Sequence, residues 1–179
     1  TAPEASKPLL EQSQKAFGRL PGLHKVLAES PQAYEGYQVL HKLFTETDFD
    51  AEELTVVWQA INVENECHYC VPAHTGIAKM MKVSDEISDA LRNETALPTP
   101  KLEALRTFTV QMVRERGNVS EAQMQAFFDA GYGHRAVLDV ILGLAQKTMS
   151  NYINHVAETP VDAVFQPLAW ERGETPLKV

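Results

Sequence analysis

Apolar positions along the chain recur at helical spacing, and no run of period-two alternation or Asn-Gly hairpin turn breaks the pattern. Leu54, Val57, Trp58 and Ile61 stand at i, i+3, i+4 and i+7. They predict a half-buried helix from Ala51 to about Asn65, opened by an Asp50/Glu53 capping box. Caps, prolines and glycines punctuate the rest. Helices are predicted over Lys7–Phe17 (cap Ser6, stop Gly18), over Leu23–Glu29 after the Pro21-Gly22 break, and from Pro31 with Leu40, Leu43 and Phe44 on its apolar side (cap Ser30). Further helices are predicted over Asp85–Asn93 (cap Ser84), Pro100–Arg116 (cap Thr99, stop Gly117) and Glu121–Ala130 (cap Ser120, stop Gly131). The last, His134–Glu158, carries Val137, Ile141, Leu144, Met149, Tyr152 and Ile153. From Pro160 onward the apolar residues Phe165, Pro167, Leu168 and Trp170 lose periodicity, as in a tail that packs on its own chain or on a neighbouring subunit. The expectation is an all-α, single-domain bundle of about eight helices over residues 1–179, with a motif core at about 50–160 and a tail over 160–179.

Composition narrows the functional classes. An apolar share of 44% and a charged share of 22% fit an ordinary globular domain, and 179 residues suffice to bury a core. A net charge of -8 argues against nucleic acid, whose phosphates need a basic surface, and against an anionic membrane as partner. The longest apolar runs, such as Ala136-Val137-Leu138 and Val140-Ile141-Leu142, fall far short of the roughly 20 residues that span a bilayer. No basic start followed by an apolar stretch occupies Thr1–Leu20, so a cytoplasmic location is expected.

The chain has 2 cysteines, and they stand three apart in Glu64-Asn65-Glu66-Cys67-His68-Tyr69-Cys70-Val71-Pro72-Ala73-His74. Proline costs a helix roughly 3 kcal/mol outside its first turn. Pro72 therefore predicts a helix that begins near Tyr69 and runs through Met81. Cys70 then lies in the first turn, where free N–H groups and the helix dipole favour a thiolate. A thiolate attacks a peroxide oxygen and gives a sulfenic acid, with which a second nearby thiol condenses. Cys67 is placed to be that thiol. His74, at i+4 from Cys70, shares a helix face with it and can accept its proton directly or through a water. Glu64 precedes Cys67 by three residues and His68 by four. If the preceding helix persists that far, its carboxylate orients His68 or polarises the pair. The candidate catalytic set is Cys70, Cys67, His74, Glu64 and His68, and such chemistry calls for no cofactor.

Blander and rival readings stand beside it. The cysteines form an inert buried pair, or Cys67, Cys70 and His74 ligate zinc with His68 or a distant group as the fourth ligand, although no second cysteine pair exists. Asn151, Asn154 and His155 either line a pocket near the thiols or make a hydrogen-bonded patch between helices. His24, His41 and His134 read as surface or capping histidines, Trp58 and Trp170 as core or interface anchors. Asp85, Glu86 and Asp89 read as a solvated helix face.

The stretch Val56-Val57-Trp58-Gln59-Ala60-Ile61-Asn62-Val63-Glu64-Asn65-Glu66-Cys67-His68-Tyr69-Cys70-Val71-Pro72-Ala73-His74, an apolar helix leading into Cys-x-x-Cys-x-x-x-His, resembles the alkylhydroperoxidase D/carboxymuconolactone decarboxylase superfamily. Asn151-Tyr152-Ile153-Asn154-His155 followed by Thr159-Pro160-Val161-Asp162 is similar to the ends of its peroxidase-related members. The resemblance implies an all-α fold, a homo-oligomer (dimer, trimer or hexamer) and reduction of hydroperoxides through a disulfide cycle. It assigns peroxide attack to Cys70, resolution to Cys67 and a proton relay to His74, with a thiol donor protein or small dithiol as reductant. The family relay includes a glutamate twelve residues before the first cysteine, where this chain has Thr55. Threonine carries no proton as a carboxylate does, so either Glu64 takes over or peroxidase turnover is weak. Two alternatives follow: a non-catalytic redox sensor or zinc-binding protein, and, less favoured because that branch lacks the cysteine pair, a decarboxylase-type enzyme with His74 as base.

Overall fold

Capped amphipathic segments separated by short turns fold into helices throughout the computed structural model, which describes residues 2–173. Among the described residues there are nine α-helices: α1 (Lys7–Phe17), α2 (Gly22–Leu27), α3 (Pro31–Thr45), α4 (Ala51–Glu64), α5 (Cys70–Met80), α6 (Asp85–Arg92), α7 (Pro100–Arg114), α8 (Glu121–Asp129) and α9 (His134–Val156). Two 3₁₀ turns, Glu4–Ser6 and Ala163–Leu168, flank them, and no strand is present among these residues. The expected all-α bundle is the observed fold, with one helix more than the expected count. The part of the predicted 160–179 tail beyond residue 173 lies outside the described residues.

Cap chemistry holds where it was expected. The Asp50 carboxylate accepts from the Glu52 and Glu53 amides while Glu53 reaches back to the Asp50 amide, and Ser120 and Gln123 repeat the box. Ser6 is the exception. Its hydroxyl donates to the Ala28 carbonyl at 2.6 Å, tying the start of α1 to the end of α2 instead of capping.

Helix α4 is the hub, packed against α5, α6, α7 and α9. The sequence predicted it half buried; every residue from Glu53 through Val63 is buried. Neighbours on all sides leave it no solvent face, so its polar residues Thr55, Gln59 and Asn62 must find partners inside the protein. The apolar core runs along it through Val57, Trp58 and Ile61, joined by Phe44, Leu105, Phe108 and Phe127. On α3 the buried face is Tyr34, Tyr37 and Phe44, whereas Leu43 is 46% exposed. Helix α9 inverts the usual pattern: its buried face is Val140, Gly143, Gln146, Lys147, Ser150, Asn151 and Asn154, and Leu138, Ile141, Tyr152 and Val156 face outward. The tail does pack on its own chain. Ala163–Leu168 lies against α5, and Trp170 is buried with Val63 and Val71, its indole N–H donating to the Arg92 carbonyl at 2.9 Å.

Candidate active site

The turn between α4 and α5 sets the position of the cysteines. Helix α4 ends in a Schellman motif: the Cys67 N–H donates to the Asn62 carbonyl, and the Glu66 N–H to that of Val63, both at 3.0 Å. Glu66 occupies the left-handed position, φ 52°, where glycine is usual. Because the helix stops at Glu64, the i, i+3 and i+4 relation of Glu64 to Cys67 and His68 is broken. Its carboxylate is instead held by Arg114, at 2.7 and 2.9 Å, with Arg172 at 3.8 Å. His68 turns its Nδ1 to the Trp170 carbonyl at 3.3 Å. The structure thus gives Glu64 and His68 partners other than the thiols, sets Cys67 against Cys70, and turns His74 Nε2 to Lys147 rather than to either sulfur.

Cys70 is the first residue of α5, as Pro72 predicted. Its backbone N–H donates to the Cys67 sulfur at 3.3 Å, so the free amide of the helix start serves Cys67 rather than Cys70. The Cys70 sulfur accepts from the Asn154 side-chain amide of α9 at 3.2 Å. Between the cysteines, Tyr69 pins the loop: its hydroxyl donates to Asp162 at 2.9 Å and accepts from the Leu23 N–H at 3.2 Å. Both thiols are free and buried, Cys67 at 0% and Cys70 at 2% exposure.

A chain of side-chain amides locks α4, α5 and α9 around this pair. Asn65 donates to Asn151 (2.9 Å), Asn151 to Asn62 (2.9 Å), Asn62 to Gln59 (3.0 Å), and Gln59 to the Val71 carbonyl and the Thr75 hydroxyl (both 3.1 Å). Both readings of Asn151 and Asn154 are therefore realised in different residues, Asn151 in the patch and Asn154 at the sulfur. His155 is exposed at the rim of a cavity of about 600 Å³. Glu64, Asn65, Cys67, His68, Asn154 and Thr159 line that cavity, so Cys67 borders it and Cys70 does not.

Sequence reasoning missed Lys147. It is 1% exposed, and its Nζ lies 2.8 Å from His74 Nε2. The signal was legible only through the face of α9: Gly143, Lys147, Ser150 or Asn151, and Asn154 continue the stripe begun at Val140, so a lysine and two asparagines occupy core positions. Burial pushes the Cys70 thiol up, but the hydrogen bond from Cys67, the nearby Lys147 charge and the Asn154 and Asn151 amides outweigh it and bring the thiol down to about 6. Cys67 is held above the ordinary thiol range by its hydrogen bond to Cys70 and by burial. Burial, then Lys147 and His41, keeps His74 neutral well below the usual histidine range. Lys147 itself is lowered by burial, against the pull of Cys70 and Cys67.

His24 and His41 are not surface histidines. Burial lowers each to about 4. Ser13 Oγ lies 2.6 Å from His24 Nδ1, and His41 stacks on Trp58 while Gln146 bridges it to the Trp58 indole N–H. His134 is exposed at the start of α9, and Asp85, Glu86 and Asp89 form a solvated face, as expected. Trp58 is a core anchor against the His74 ring, with centroids 4.9 Å apart. Thr55 is buried and bonds the Ala51 carbonyl of its own helix at 2.8 Å. Among the described residues no three His, Cys, Asp or Glu side chains cluster so as to hold a metal ion, and no helix is long and apolar enough to cross a membrane.

No protein-family model and no curated protein matches the sequence. Solved structures do match in shape. A peroxidase-related protein with the alkylhydroperoxidase AhpD core from Ralstonia eutropha JMP134 superposes with a TM-score of 0.80 at 20% identity, over 92% of this chain and 88% of that one. A peroxidase-related protein from Silicibacter sp. TM1040 gives 0.79 at 16% identity, over 92% and 88%. The debrominase Bmp8, a cysteine-to-alanine variant in complex with 2,3,4-tribromopyrrole, gives 0.75 at 14% identity, over 92% and 89%. At these identities the likeness establishes architecture, and the chain has the alkylhydroperoxidase D-like helical fold.

Proposed function

We propose that the chain is a dithiol oxidoreductase that reduces hydroperoxides. The Cys70 thiolate attacks the terminal peroxide oxygen; the O–O bond breaks, an S–O bond forms, and the alcohol leaves after taking up a proton. Cys67 then attacks the Cys70 sulfenic sulfur, forming the disulfide and releasing water. A thiol donor, protein or small dithiol, reduces that disulfide through Cys67, the one cysteine among the residues that line the cavity. The observation that carries this reading is the enclosed pair itself. A low thiol that accepts from Asn154 sits beside a high thiol three residues back, an assignment of nucleophile and resolving group by environment. Asn154 Oδ1, buried and without a partner among the described residues, is a ready acceptor for the hydroperoxide O–H. Mixing the reduced protein with an organic hydroperoxide in a stopped-flow instrument should consume two thiols per chain and yield an intramolecular disulfide. A Cys70→Ser variant that reacts as fast as the parent would remove Cys70 from its role.

A second substrate class suits the same dithiol. Reductive removal of a halogen likewise turns two thiols into a disulfide, and the debrominase of the same fold acts on brominated compounds. The cavity of about 600 Å³ beside Cys67 has room for a small aromatic ring. Bromide release from bromopyrroles, measured against hydroperoxide consumption, ranks the two. We further propose that the chain self-associates through the outward apolar residues of α3 and α9.

A further inference from the structure

The thiol chemistry proposed above needs a proton at the leaving oxygen; of the residues that the sequence offered for it, His74 is bound to Lys147 and the others are engaged elsewhere. Glu64 is paired with Arg114, and His68 turns to the tail. Thr55, at the position where the resemblance implies a relay glutamate, spends its hydroxyl on its own helix. Taking the elements packed around the pair in turn, α4 contributes only the neutral Thr55, Gln59 and Asn62. The turn into α5 contributes Tyr69, bonded to Asp162, α5 contributes His74, α3 contributes Tyr37 and His41, and α9 contributes Lys147. Of these, Lys147 is the one basic group that can bring a positive charge to the thiols, lowered by burial against the pull of Cys70 and Cys67; Tyr37 and Tyr69 are pushed far up by burial, and burial lowers the two histidines.

Position agrees with chemistry. Lys147 and Asn154 are two turns apart on one face of α9, and Asn154 touches the Cys70 sulfur at 3.2 Å. His74 and Cys70 are one turn apart on α5, and His74 Nε2 lies 2.8 Å from Lys147 Nζ. The ammonium is thus fastened from one side by the imidazole of the thiol's own helix. A fully buried ammonium needs an anion close by. None of the carboxylates in the described salt bridges is bound to Lys147, which leaves the sulfurs of Cys70 and Cys67 as the groups of the centre able to carry the offsetting charge.

We propose that Lys147 is the proton carrier of the thiol centre: it takes the proton that Cys70 gives up and hands it to the leaving oxygen when the peroxide bond breaks. The ammonium–thiolate pair has the same net charge as amine plus thiol, so ionising Cys70 adds no net charge to the core. On attack the leaving alkoxide takes the proton from Lys147, which becomes a neutral amine. The amine accepts the proton of Cys67 as that sulfur attacks, and returns it to the departing hydroxide, giving water. When the disulfide is reduced, the proton of the Cys70 thiol recharges Lys147. His74, neutral throughout, accepts the hydrogen bond that keeps Lys147 aimed; it is a positioning residue.

This inference rests on the dithiol reading, and three variants of the full reduced chain separate the two. Lys147→Met keeps length without charge. Its thiolate absorbance at 240 nm should titrate near the free-cysteine value of about 8.5, and its hydroperoxide rate at pH 7 should fall ~100-fold or more. Lys147→Arg keeps the charge but gives up no proton in this range; the thiolate should persist while the peroxide rate still falls. A Lys147→Met protein whose thiol titration and pH–rate profile match the parent's overturns the proposal, and so does a Lys147→Arg protein that turns over at the parental rate. If Lys147→Met does not fold, the reciprocal measurement decides: the ¹⁵N resonance of Lys147 Nζ should lose its proton at lower pH in Cys70→Ser than in the parent, and an unmoved titration sinks the pairing. A parent that oxidises with no hydroperoxide defeats the function proposed above, whereas a thiolate that still depends on Lys147 keeps the ammonium–thiolate pair.

Discussion

One side-chain amide adds to what Cys67 and Lys147 do for the buried thiol. The Asn154 side chain donates to Cys70 at 3.2 Å in a site with almost no water access, where a hydrogen bond to a charged acceptor is worth roughly 1.5–3 kcal/mol. Removing it in Asn154→Ala disfavours the thiolate, so the thiol midpoint rises from about 6 toward the ordinary range. Alkylation by iodoacetamide at pH 6.5 should slow ~10-fold or more. The sign for stability follows from the same depressed thiol. Its contribution is fully present above the unfolded thiol's midpoint and is lost as pH falls toward about 6, so the reduced parent should lose stability on acidification through that window, and Asn154→Ala should lose less. Denaturant midpoints of both proteins between pH 9 and pH 6 would check this; equal slopes would refute it.

At the scale of elements, what the sequence disclosed and what it hid have distinct causes. Helix starts were readable because cap chemistry is local: Asp50, Ser84, Thr99 and Ser120 each bond the first turn they precede. The closeness of Cys67 and Cys70 was readable because their spacing lies on one turn, whereas the partner of His74 was not. That partner, Lys147, stayed hidden, since its meaning depends on which face of α9 turns inward, and that is set by long-range packing. The apolar residues of α9 did not decide it: Val137, Leu144, Met149 and Ile153 pack against the core, whereas Ile141 and Tyr152 are exposed. Gly143 shows why the polar face wins: a Cβ there would lie 2.7 Å from the Phe44 ring and 2.9 Å from Val57, so α9 can approach α3 and α4 this closely only through glycine. Gly143→Val should therefore lower stability by ~1–3 kcal/mol through overpacking. Gly36→Ala on α3 meets no atom within 4 Å and should raise it by ~0.5–1 kcal/mol. Thermal melts of the two variants should move in opposite directions, and a Gly143→Val melt at or above the parent's would show that the helices can part without penalty.

For the whole molecule, the inversion of α9 leaves apolar side chains outside. Leu138 is 65% and Val156 89% exposed, with Ile141 and Tyr152 between them on the same side of the helix. Val39 and Leu43 are exposed on α3, the helix that packs directly on α9. The α9 residues stand at i, i+3, i+14 and i+18, a stripe of the kind that seams helices together. Exposed apolar surface of this continuity on a chain of net charge -8 is covered more favourably by a second apolar stripe than by water. Self-association would also stiffen α9 along the length that carries Lys147 and Asn154, coupling assembly to the thiol centre. Light scattering behind size exclusion should give a mass that is a multiple of 19.9 kDa. Leu138→Glu with Tyr152→Glu should return the single-chain mass with helical content retained, together with slower peroxide consumption. A parent that runs at 19.9 kDa at micromolar concentration would leave the stripe without this partner.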